Sequence, residues 1–122
     1  MRCFMKFITI DGDDVGQKIT SLYLSNDEEN LHRVSLSLVN AAEKIAELLR
    51  DNGFDIIFCA ADGVVGKSNK SVDYAILFEK IQEQSASSFN FSAGVGSSLK
   101  EAYVALLDAK SSGKNKLCDY TL

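Results

Sequence analysis

The order of apolar patterns along the 122 residues predicts one α+β domain of ferredoxin-like type, an antiparallel sheet with a central hairpin and helices packed on one face. Three observations carry this. A strand-like run, Phe7-Ile8-Thr9-Ile10, is followed by helical spacing that continues to residue 52. Two short strand patterns then flank the turn Ala61-Asp62-Gly63. A helix, a strand, another helix and a short last strand complete the order β-α-α-β-β-α-β-α-β, with the domain spanning residues 1–122.

The first strand, about Cys3 to Ile10, is rich in Phe, Ile and Thr, and its consecutive apolar residues suit a central strand covered on both faces. Val15 to Leu24 has helical spacing through Val15, Ile19, Leu22 and Tyr23. Ser25 and Glu28 have the S-x-x-E spacing of a capping box, which predicts that a second helix starts there. That helix carries Leu31, Val34, Leu38, Ala41, Ala42, Ile45, Leu48 and Leu49 at three- and four-residue steps, and Gly53 suits its left-handed end. Phe54 to Ala60 and Val64 to Ser68 read as the hairpin strands, and Ser71 to Gln84 as a helix. Ser85 to Ser88 reads as a loop and Phe89 to Gly96 as a strand. Ser98 and Glu101 form a capping box for a helix that stops before Gly113, and residues 117–120 allow a terminal strand. Right-handed crossovers would set the first strand beside the hairpin, drawing Asp11 toward Asp62.

Composition narrows the function classes. Hydrophobic residues make up 46% and the formal charge is −4, so the chain lacks the basic face of a bulk nucleic-acid binder. No run approaches the roughly 20 apolar residues of a membrane helix, and Lys6 interrupts the only apolar start, so no signal peptide is expected. Cys3, Cys59 and Cys118 are odd in number and widely spaced, which fits neither a disulfide framework nor a zinc site and suggests the cytoplasm.

The chemistry concentrates in Asp11-Gly12-Asp13-Asp14, directly after the first strand. Three carboxylates in four residues repel one another unless a cation or a helix end balances them. Asp11 and Asp62, both at strand ends, could share a divalent ion with the Gly12 carbonyl, leaving positions for water and phosphate. The helix opening at Asp14-Val15-Gly16 would direct free N–H groups to the same place, and Lys18 lies one turn further on. A solvated Asp-Gly turn explains Asp62 equally well, and the DGDD run less well. Gly94-Val95-Gly96 lacks the spacing of a phosphate loop and reads as close packing. By position alone, Lys110, Lys114 and Lys116 are surface charges near a helix end, and His32 is noncatalytic.

The runs FITIDGDDVG, IIFCAADG and FSAGVGSSLKEAYVALLDAKSSGKN resemble the palm-type nucleotide cyclase and polymerase superfamily, above all its compact minimal CRISPR polymerase (mCpol) members. The resemblance spans nearly the whole chain. It implies a two-metal nucleotidyltransferase that binds Mg2+ or Mn2+ through Asp11, Asp62 and the Gly12 carbonyl, with Asp11 and Asp62 catalytic. Gly12, Asp13, Asp14, Val15, Gly16 and Lys18 would then line the nucleotide. The match of Ala109-Lys110-Ser111-Ser112-Gly113-Lys114-Asn115 to the family's helix end implies that Lys110 touches the triphosphate, against its surface reading. ATP as substrate, a cyclic dinucleotide as an antiphage signal and a separate effector that reads it are also implied. Joining two nucleotides with one donor site per chain calls for a homodimer facing itself across a two-fold axis.

This chain departs from its relatives at two places. Its hairpin reads AADG where they read GGDEF or GGDD, and Gly16 stands where diguanylate cyclases carry a lysine, a place Lys18 could fill. The guanine-reading residues of those cyclases are not recognisable, which argues against c-di-GMP. The AADG hairpin keeps a nucleotide-binding palm without turnover in view. A phosphoacceptor receiver domain is the rival from another class. It needs a second strand between residues 15 and 53, where only helical spacing occurs, and the chain contains no proline.

Overall fold

A computed structural model describes residues 4–60, 63–84 and 89–122. Its order is β1 (Lys6–Gly12), α1 (Val15–Leu24), α2 (Glu28–Asp51), β2 (Asp55–Ala60), β3 (Gly63–Ser68), α3 (Tyr74–Glu83), β4 (Phe91–Gly96), α4 (Leu99–Ser111) and β5 (Leu117–Asp119). The strands form one sheet in the order β2-β3-β1-β4-β5. Strand β1 is antiparallel to β3 and β4 on either side, so the first strand does lie beside the hairpin. Strand β5 departs from the expected pattern and runs parallel to β4.

Alternation along β1 divides the sheet into two faces. Ile8 and Ile10 point to one, where Val64, Ala93 and Val95 join them under Ile45 and Leu49 of α2 and Leu77 and Ile81 of α3. This is the ferredoxin-like half of the fold, with its helices on one face as expected. Helix α4 lies on the other face, which corrects that expectation for the C-terminal part of the chain. An added Cβ on Gly94 would stand 2.2 Å from Ala102 O and Leu106 N, and one on Gly96 would stand 2.4 Å from Ala102 N. The two glycines therefore let the α4 backbone rest directly on β4, the close packing their spacing predicted.

The junction of α1 and α2 also differs from the sequence reading. Asp27 caps α2, its carboxylate accepting from the Asn30 backbone N–H at 3.1 Å and from Asn30 Nδ2 at 2.8 Å. The Asn30 bonds hold the Asp27 carboxyl below the usual aspartate range. Ser25 instead closes α1, its hydroxyl donating to Ser21 O at 2.9 Å. Asn26 takes a left-handed conformation (φ 53°) between the two helices, so the capping-box letters at Ser25 and Glu28 straddle a turn. The later capping residue is as predicted, Ser98 accepting from Glu101 N at 3.1 Å. Gly53 ends α2 at φ 88°. The expected loop at Ser85 to Ser88 lies outside the described residues.

Candidate active site

The site begins where β1 runs out. Residues 7, 9 and 11 point to the α4 face, and Asp11 stands opposite Gly63 of β3 and Ser92 of β4. Its neighbour across the hairpin therefore directly follows Asp62 in sequence. Asp62 itself, the second expected catalytic and metal-binding residue, lies outside the described residues.

Lys110, in the last turn of α4, reaches across the sheet to this strand end. Its Nζ donates to Gly12 O at 2.9 Å and lies 3.0 Å from Asp11 Oδ2 and 3.5 Å from Asp13 Oδ1. The side chain is 24% exposed. The surface reading of Lys110 fails because Gly94 and Gly96 bring α4 close enough for a lysine to span the gap.

Asp13 turns inward. It is 7% exposed; its Oδ1 accepts from Ser92 Oγ at 2.7 Å and its Oδ2 from the Asn115 backbone N–H at 2.9 Å. Its own N–H donates to Asn90 O. Asp13 thus ties the end of β1 to β4 and to the turn after α4, and its carboxylate is engaged within the protein. Ser92, fully buried, and Asn115 were not singled out from the sequence, although Asn115 closes the AK-x-x-G-K-N run. Asp14 is an exposed left-handed residue (φ 59°) whose carboxylate pairs with Lys114 Nζ. That bond holds the Lys114 ammonium above the ordinary lysine range.

Because Asp14 is turned away, α1 starts without a side-chain cap. Val15 is buried, so it could offer a ligand only its backbone. A side chain at Gly16 would meet open space. Lys18 lies on the wall of a cleft between α1 and α2, with Asn30, Arg33 and Ser37 beside Leu22 and Val34, of about 380 Å3. His32 is exposed on α2.

The oxygens of Asp11 and Gly12 converge on one point, and the Lys110 ammonium sits there. That is the donor chemistry a hard divalent cation selects, so Asp11 and the Gly12 carbonyl fit such an ion. Among the described residues no three metal-ligating side chains gather, so a complete ligand set would need Asp62 or the substrate. No helix among the described residues is long and apolar enough to cross a membrane.

Residues 7–120 match the minimal CRISPR polymerase domain, mCpol. The chain belongs to this family. Its polymerase-type, palm fold is shared with solved structures of low sequence identity. The active GGEEF domain of a diguanylate cyclase from Vibrio cholerae aligns over 95% of this chain and 82% of its own, with 19% identity and a TM-score of 0.65. The GGDEF domain of DgcB from Caulobacter crescentus, in complex with c-di-GMP, aligns over 97% and 78%, with 11% identity and a TM-score of 0.67. The Csm1-Csm4 cassette in complex with pppApA aligns over 93% of this chain but 20% of that one, with 12% identity and a TM-score of 0.70. No curated protein matches the chain.

Proposed function

We propose that this mCpol domain is a metal-dependent nucleotidyltransferase that joins adenine nucleotides into a cyclic dinucleotide signal for antiphage defence. The observation that carries the reading is the meeting of Asp11, the Gly12 carbonyl and Lys110 at the end of β1, beside the hairpin that bears Asp62. The Csm1-Csm4 complexes with pppApA and cA4 favour adenine as the base.

Asp11, Gly12 O and Asp62 would hold Mg2+ or Mn2+, which when bound supplies charge neutralisation and a more acidic attacking hydroxyl. The open start of α1, with the Val15 and Gly16 N–H groups, would bind phosphate oxygens. Lys110 would move its donors from Asp11 to the triphosphate as pyrophosphate leaves, and Lys18 would support the donor nucleotide from the α1–α2 cleft. Asp13 and Asp14 serve from behind. Through Asn115 and Lys114 they fix the turn after α4, and with it the position of Lys110. A ribose oxygen forms the new bond to the α-phosphorus, the α–β bridging bond breaks, and the hydroxyl proton passes to water. A homodimer facing across a two-fold axis brings two such nucleotides together, and a separate effector protein reads the product.

Purified protein incubated with each nucleoside triphosphate and Mg2+ or Mn2+ should convert ATP to a product of cyclic-dinucleotide mass. Asp11→Asn and Asp62→Ala should each lower turnover at least 100-fold without changing the circular dichroism spectrum. Unchanged turnover in either variant refutes the assignment. Binding of ATP with no product from the wild type would favour the binding-only palm suggested by the AADG hairpin.

A further inference from the structure

Strand β2 contains a bulge whose effect is to turn one aromatic ring toward the site. Asp55 and Ile56 pair with Lys67 and Gly66, but the next pair is Phe58 with Val65, leaving Ile57 as the extra residue. Strict alternation would have sent Phe58 to the α2 face. Instead Cys59 takes that face, its Sγ 3.6 Å from Ala42 O of α2. Phe58 joins the row Thr9–Val65 on the face that carries Asp11.

Three features make this ring more than a stray surface residue. Phe58 is 54% exposed although it stands in a strand. The side chain a residue at 63 would need is missing, and its place lies 3.7 Å from Asp11 Oδ1 and 3.9 Å from Phe58 Cε1. The carboxylate and the ring are thus neighbours across an open glycine. Helix α4, which covers this face over β1, β4 and β5, leaves the ring in reach of solvent. A flat apolar surface beside a carboxylate and a lysine matches a ligand that is flat at one end and anionic at the other.

We propose that Phe58 is the stacking platform for the base of a nucleotide held at Asp11. The inference rests on the nucleotidyl-transfer reading above. Stacking on a phenyl ring is tolerant of base identity, so Phe58 supplies affinity and orientation.

The chain contains no tryptophan, so Phe58→Trp places a single reporter in the site. Saturating ATP with Mg2+ should quench its emission, and tripolyphosphate with Mg2+ should not. By calorimetry, Phe58→Ala should bind ATP about tenfold more weakly than wild type, with tripolyphosphate affinity unchanged and Phe58→Tyr near wild type. If the wild type binds ATP while the tryptophan stays silent and Phe58→Ala binds as tightly, the platform is refuted and nucleotide binding stands. Loss of a dimer in Phe58→Ala by sedimentation, with ATP affinity intact, assigns the ring to a second copy and also refutes it. Absence of any ATP binding by the wild type overturns the nucleotidyl-transfer reading itself, and the platform with it.

Discussion

Replacing Lys110 with Met tests the centre of the site, because the substitution keeps the unbranched apolar stem and removes the ammonium with its charge and donors. Three oxygens lose their cation: Gly12 O at 2.9 Å, Asp11 Oδ2 at 3.0 Å and Asp13 Oδ1 at 3.5 Å. At an effective dielectric of about 20, each carboxylate contributes about 5 kcal/mol of gross attraction at these distances. Most of that is offset by desolvation of the lysine and by solvent reaching Asp11, which is 34% exposed. Asp13 has no such relief, its side chain being 5% exposed. We therefore expect a net loss of about 2–3 kcal/mol, between an exposed ion pair and a fully buried one. Urea unfolding at pH 7 without divalent ions measures it. Adding 10 mM Mg2+ (roughly, for a weak site) should restore part of the stability in Lys110→Met and have less effect on wild type, since the vacated oxygens become available to the ion. A loss under about 0.5 kcal/mol would mean that Lys110 is an ordinary surface charge, and would refute the account of the site.

Two further substitutions examine the frame around it. Gly94→Ala would put a methyl group 2.2 Å from Ala102 O and Leu106 N, so α4 must lift from β4; we expect a loss of about 3 kcal/mol or more in the same assay, with turnover falling as Lys110 is carried away. Tyr74 is buried, and its hydroxyl has no hydrogen-bond partner among the described residues. Burial chiefly, and the Asp119 charge next, push its pKa up to about 12 from 10.0. Because the folded value lies above the unfolded one, the stabilisation is complete below pH 10 and is lost as pH rises toward 12. Tyr74→Phe should be neutral or stabilising by up to about 1 kcal/mol at pH 7 and should lose less stability between pH 10 and 12 than wild type; a steeper alkaline loss in the variant contradicts the burial argument.

Local signals proved good guides wherever the determining groups are close in sequence. The extents of α1, the ends of α2 at Gly53 and of α4 before Gly113, and the hairpin strands follow from periodicity and turn residues. Ser25 misled because its letters suit a cap at either helix, and only the turn at Asn26 decides which helix it serves. In the site, Asp11 was legible as a strand-end acid. The inward turn of Asp13 was not, since its partners Ser92 and Asn115 lie 79 and 102 residues away.

By itself, the sequence determined the order of elements and the acid at the first strand's end, which are read from hydrophobic period and residue type, and crossover chirality pointed to the first strand lying beside the hairpin. Only the tertiary structure decided which face α4 covers, that Lys110 stands on the oxygens of Asp11 and Gly12, and that Phe58 turns toward Asp11. Those outcomes depend on backbone-to-backbone approach at Gly94 and Gly96 and on one extra residue in β2, and spacing along the chain specifies neither the face on which α4 docks nor the side to which the bulge turns Phe58.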